Sequence, residues 1–261
     1  MKNINNDINF LKEFLDEKYL LYNNNSFIET DPISIPHQFT KKEDIEIAGF
    51  FAATIAWGQR KTIISNAKKL ILLMDNSPHQ FILNHSQKEL LPFKKFVHRT
   101  FNGTDCVFFI KSLQNIYKKH KGLENAFANE FKFSDENIKN AITGFRKLFL
   151  EPKHLTRSDK HVSNPASNSS AKRLCMFLRW MVRNDRRGVD FGIWKKINSS
   201  QLCLPLDVHT GNVSRKLGLL NRKQNDWQSV EEITFVLKQF DKNDPVKYDF
   251  ALFGLGAFEK F

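Results

Sequence analysis

The chain has little with which to staple itself, cross a membrane or enter a secretory route. Its 261 residues include three cysteines, Cys106, Cys175 and Cys203, widely separated and without a CxxC pair. That spacing excludes a disulfide framework or a zinc ribbon and fits a reduced intracellular protein. No apolar run approaches the roughly twenty residues that span a bilayer. The opening Met1-Lys-Asn-Ile-Asn-Asn-Asp7 is polar and has no signal-peptide core. Repeats and low-complexity tails are absent from the sequence. Strand candidates are scarce too: Gln201 to Leu206 is apolar but short, and Pro205 has no amide to give a ladder. The expectation is a cytoplasmic protein with no membrane association.

What is abundant is positive charge. Lysine and arginine total 40 against 28 aspartates and glutamates, a net charge of +12 and a pI near 9.5. Such a balance favours a polyanionic partner. The basic residues are scattered in short groups such as Lys68-Lys69, Lys118-Lys119 and Arg186-Arg187, a distribution that also suits solvated helix faces. Apolar periodicity is helical nearly everywhere, over 6–22, 44–59, 60–70, 104–120, 123–131, 134–150, 172–183 and 230–240. The fold class is all-α, and the 25 phenylalanines are assigned mainly to its core.

Two charged residues stand at predicted helix starts. Asp207, in Leu204-Pro-Leu-Asp-Val-His-Thr-Gly-Asn-Val-Ser-Arg-Lys-Leu-Gly-Leu219, opens a short amphipathic helix. Its plain role is an N-cap, the carboxylate accepting first-turn amides. The same amides hold it as an anion, and a fixed anion stabilises a cationic sugar in a transition state. Lys172, in Ser169-Ser-Ala-Lys-Arg-Leu-Cys-Met-Phe-Leu-Arg-Trp-Met-Val-Arg183, falls in the first turn of a helix that Ser169 or Ser170 would cap. An ammonium there is at the unfavourable end of the dipole, so it is either solvated or retained for function.

The succession of the Asp207 helix, the 230–240 helix and Tyr248-Asp-Phe-Ala-Leu-Phe-Gly-Leu-Gly-Ala-Phe258 resembles the C-terminal part of the helix-hairpin-helix DNA glycosylases, the endonuclease III and 8-oxoguanine glycosylase superfamily. The resemblance implies a two-lobed helical fold acting on double-stranded DNA. It further implies Lys172 as the amine that attacks the sugar carbon and forms a Schiff base, and Asp207 as the catalytic carboxylate. Lysine does this work where desolvation and neighbouring cations, here Arg173 and Arg179, free its lone pair. The two residues are 35 positions apart, closer to the archaeal 8-oxoguanine glycosylases than to endonuclease III, with Gly188 to Ile197 read as an extra turn or short helix between them. The family's hairpin glycines are missing: Val162-Ser-Asn-Pro-Ala-Ser-Asn-Ser-Ser-Ala-Lys172 contains none. Asn164 or Asn168 is the residue that can take the left-handed turn in their place.

By the same resemblance Gln59, ending an Ala-rich helix, would reach the DNA. Trp57 would stack on an extruded base or, as most tryptophans in apolar helices do, fill the core. Arg173, Asn168 and His209 would lie along the DNA-binding face, with Phe253 and Phe258 walling a base pocket. The implied single unit, 1–261, has a central lobe over 60–170 and a second lobe from 1–59 plus 200–261. No metal or other cofactor is implied, the chain lacks the four-cysteine iron–sulfur set of some members, and a monomer is expected. The sequence also has the general look of an uncharacterised bacterial family marked by Pro-Leu-Asp-x-His-Thr. Three functions compete: a base-excision glycosylase with lyase activity, a non-catalytic nucleic-acid binder on the same fold, and a helical scaffold whose charge reflects compositional bias.

Overall fold

Helical periodicity becomes helix in most of the segments that carry it. The structure, a computed structural model, describes residues 4–261; the first three residues of the polar N-terminal stretch lie outside the described residues. It is all-α. In chain order the helices are α1 (Ile4–Tyr22), α2 (Asn25–Thr30), α3 (Lys42–Thr54), α4 (Arg60–Leu72), α5 (Pro78–Asn84) and α6 (Gly103–His120). They continue with α7 (Leu123–Ala128), α8 (Lys139–Phe149), α9 (Lys172–Val182), α10 (Val208–Lys216), α11 (Trp227–Phe240) and α12 (Tyr248–Ala257). The only strands among the described residues are a two-residue antiparallel pair, Val97–His98 with Phe101–Asn102. The stretch 201–206 forms none.

Four helix starts, those of α2, α6, α10 and α11, carry a side-chain cap. Asn102 and Asp105 form a reciprocal capping box on α6, and Asp226 caps α11 by accepting from the Ser229 amide. Other starts differ from the expectation. The helix foreseen from Ser134 begins at Lys139, where Asn137 accepts the Lys139 amide at 2.9 Å. Ser77 precedes Pro78 of α5 without a side-chain capping bond.

Helix α3 is the centre of the core. From Ile45 to Thr54 every residue is buried, and α3 packs on α4, α5 and α9. Gly49 permits the α3–α9 approach, since a Cβ there would stand 3.0 Å from Met181 Cε. Phe50 lies among Phe109, Phe145, Phe149 and Phe177 at centroid distances of 5.4–6.0 Å. By these contacts α3 sits with the central helices, whereas the sequence grouped all of 1–59 with the C-terminal segment. Helix α1 does join that segment, packing on α12 as α10 does. The α1–α12 approach depends on Gly254, whose Cβ would collide with the Tyr22 ring at 2.1 Å. Leu15 is fully buried, but Ile8, Leu20 and Leu21 of the expected apolar stripe are exposed.

Between α9 and α10 the sequence anticipated an extra turn or short helix at 188–197. The chain is irregular there apart from a short 3-10 turn at Ser199–Gln201. Backbone bonds from Phe191 N to Trp180 O and from Trp194 N to Met181 O lay this segment against the end of α9. Val189, Trp194 and Ile197 are buried and anchor it there.

Candidate functional site

Helix α3 ends at Thr54, five residues before the expected Gln59, and side chains from elsewhere take carbonyls at and beyond its end. The Arg173 guanidinium donates to Thr54 O, and a His98 ring nitrogen lies 3.1 Å from Trp57 O. The chain then turns at Gly58, with φ of 105°, into α4. This bend forms one wall of a cavity of about 570 Å³. A further wall comes from α12, and the starts of α9 and α10 contribute Lys172 and Asp207.

Lys172 and Asp207 meet in this cavity. Lys172 Nζ lies 4.0 Å from Asp207 Oδ2, with both side chains about a quarter exposed, 25% and 22%. Asp207 uses its oxygens separately: Oδ1 accepts the Thr210 amide at 2.9 Å, capping α10, while Oδ2 is turned toward the lysine. Capping and a cleft position are thus compatible in one carboxylate. Neither serine caps α9. Its N-cap is Ala171, a left-handed alanine at φ 47°, with no side-chain bond to the first turn. The cations expected to crowd Lys172 are engaged elsewhere: Arg173 with Thr54 O, Arg179 with Asp190 and Asp249.

In the glycine-free segment before α9, Asn168 takes the left-handed conformation, φ 62°, whereas Asn164 is extended. Asn168 is exposed and donates to Asp226 Oδ2 at 3.1 Å, away from the cavity. Trp57 is half-buried and lines the cavity, yet its ring is already engaged. The Arg173 guanidinium sits 4.7 Å over it and the His161 ring lies nearly parallel at 6.0 Å. Burial lowers Arg173 to about 10 and His161 to about 4, so His161 is a neutral ring at physiological pH. His209 and Phe253 line the cavity; Gln59 and Phe258 do not. Gln59 is exposed at the head of α4, and Phe258 stacks on Tyr22 at 5.5 Å.

Several cavity groups escaped the sequence reading. Asp249, on α12, is 6% exposed and held by Arg179 through Oδ2. Burial pushes its carboxyl up to about 6; Arg179 opposes the rise and neighbouring Asp207 adds to it. Asp31, raised by burial as well, caps the turn at Pro32–Ser34 by accepting the Ile33 amide at 3.0 Å. Arg60 lies over Phe253 at 4.8 Å and over Phe258 at 5.0 Å. An acid inside the apolar run Tyr248–Phe258 was the available clue to Asp249. Asp31, before a proline in a linker, offered none.

Residues 31–258 match the family described as a protein of unknown function (DUF2400), and the chain belongs to that family. It matches no curated protein and no solved structure. Among the described residues no helix is long and apolar enough to cross a membrane.

Proposed function

We propose that the chain excises a base from duplex DNA in the manner of the helix-hairpin-helix glycosylases, with Lys172 as nucleophile and Asp207 as the stabilising carboxylate. The observation that carries this reading is the 4.0 Å approach of Lys172 Nζ to Asp207 Oδ2, inside a cavity walled by Phe27, Trp57, Phe250 and Phe253. An extruded base finds aromatic surface and charged groups there. The amine stands where it can reach a sugar carbon, and the anion where a cationic sugar develops. Asn168 takes a left-handed conformation in the glycine-free segment before α9, which is in keeping with the turn that the resemblance implies. The net charge of +12 suits a duplex partner. The protein would act as a cytoplasmic monomer.

The test is incubation with a panel of lesion-bearing duplexes, 8-oxoguanine among them, in the presence of borohydride. A lysine nucleophile leaves a Schiff base that borohydride reduces to a permanent protein–DNA crosslink. Trapping that disappears in Lys172→Gln supports the proposal. Duplex binding without trapping or base release from any lesion leaves a nucleic-acid-binding protein that is not an enzyme.

A further inference from the structure

We infer that Asp249 is a further catalytic residue of this cavity, the acid that hands a proton to the departing base; this rests on the excision reading above. The geometry is specific. Asp249 comes from α12 and lines the same cavity as Lys172 and Asp207. Its Oδ2 is fixed by Arg179, which Asp190 holds from behind at 3.2 Å. Its Oδ1 has no hydrogen-bond partner among the described residues. A carboxyl group clamped by one oxygen, with the other free toward a cavity, is built to exchange a proton with a guest.

The two carboxylates of the site have separate work because their surroundings differ. Asp207 is partly exposed, and one of its oxygens accepts the Thr210 amide. Asp249 is buried, and that favours its neutral, proton-carrying form. Around it stand Lys172, Cys175 and Arg179 of α9, and Asp207 and His209 at the head of α10. Helix α1 presents Asp16 to the adjacent Tyr248 at 3.0 Å.

The proton account closes. Lys172 reacts as its free amine, the ammonium proton having passed to solvent, and its lone pair forms a bond to the sugar C1′. The C1′–base bond breaks with its electron pair passing to the base, which takes the Asp249 proton and leaves neutral. The new secondary ammonium on Lys172 returns a proton to the Asp249 carboxylate, restoring the acid. Nothing is oxidised or reduced.

The experiment measures single-turnover base release against pH for wild type and Asp249→Asn, on duplexes carrying 8-oxoguanine, hypoxanthine, uracil or N7-methylguanine. Asparagine keeps an oxygen for Arg179, so the clamp remains. Both classes of base need the free Lys172 amine and only the neutral ones need the acid, so in the wild type the rate on each neutral base, divided by that on N7-methylguanine, falls as pH rises through about 6. In Asp249→Asn that ratio no longer varies with pH, and release of neutral bases at pH 5.5 drops by about 10². N7-methylguanine already carries the positive charge and needs no proton, so the variant slows its release less than about threefold. Equal losses on cationic and neutral bases, no loss on either, or a wild-type ratio that does not fall as pH rises overturns the role of Asp249 while excision stands. No release or trapping by the wild type from any duplex removes the excision reading and this one with it. Should Asp249→Asn fail to fold, the wild-type contrast between neutral bases and N7-methylguanine decides alone.

Discussion

Helix α9 carries a charged cluster at each end, and the two are built to opposite rules. At the C-terminal end Arg183 is fully buried with its donors matched to acceptors: Asp244 at 2.9 Å, Asp190 at 2.9 Å, Asp185 at 2.8 Å and the Tyr19 hydroxyl at 3.1 Å. At the N-terminal end Lys172 has one carboxylate at a loose 4.0 Å and a cavity in front of it. The sealed cluster joins α1, α9 and the segment before α12, so its charges act as structure. The open cluster leaves a lysine and two carboxylates partly unsatisfied, and that is the condition for acting on a guest. Arg179 and Asp190 link the two ends, so the rigidity of the sealed end is passed to Asp249.

Substitutions at the two ends should separate activity from stability. Lys172→Gln should abolish borohydride trapping while moving the melting temperature by no more than about 2 °C, because a quarter-exposed first-turn residue adds little to the core. Next in size, Arg183→Ala should cost about 3–5 kcal/mol in urea unfolding, since Asp190 would keep its buried charge with half its partners gone. A loss near zero would make the sealed end ornamental and erase the contrast. Asp207→Asn should slow base release by about 10² if its anion stabilises a cationic sugar, with only a small stability loss because asparagine still caps. Charge reversal at Arg60 with Lys172 should weaken duplex affinity about tenfold more than reversal at the exposed Lys118 and Lys119, and more so at low salt. Equal losses in an anisotropy titration would mean that the basic charge acts diffusely.

The smallest effect is a pH dependence of folding. The folded Asp249 carboxyl titrates near 6, above its ordinary 3.8, so the native state holds a proton that the unfolded chain releases between those values. The stability due to this group is complete below about 3.8 and is lost as pH rises through about 6. Unfolding free energies of wild type and Asp249→Asn should therefore diverge across that window and run parallel above it. Parallel curves throughout would mean that Asp249 is ionised in the native protein.

Much of this was written in local order along the chain. The helical period of the apolar residues, the cap at Asp207 and the left-handed asparagine at 168 follow from short-range sterics and hydrogen bonding, which neighbours in sequence decide. Lys172 and Asp207 were also identifiable as charges at helix starts, and a family likeness paired them. Their meeting at 4.0 Å is a fact of packing. So are the bond at the end of α3, where Arg173 arrives from 119 residues later to take the Thr54 carbonyl, and the stacking that occupies Trp57. The environment of Asp249 is of the same kind. Its burial, its clamp from Arg179 and its raised titration exist only once α9, α10 and α12 enclose one cavity, because desolvation and Coulomb interaction depend on distance in space rather than on separation along the chain.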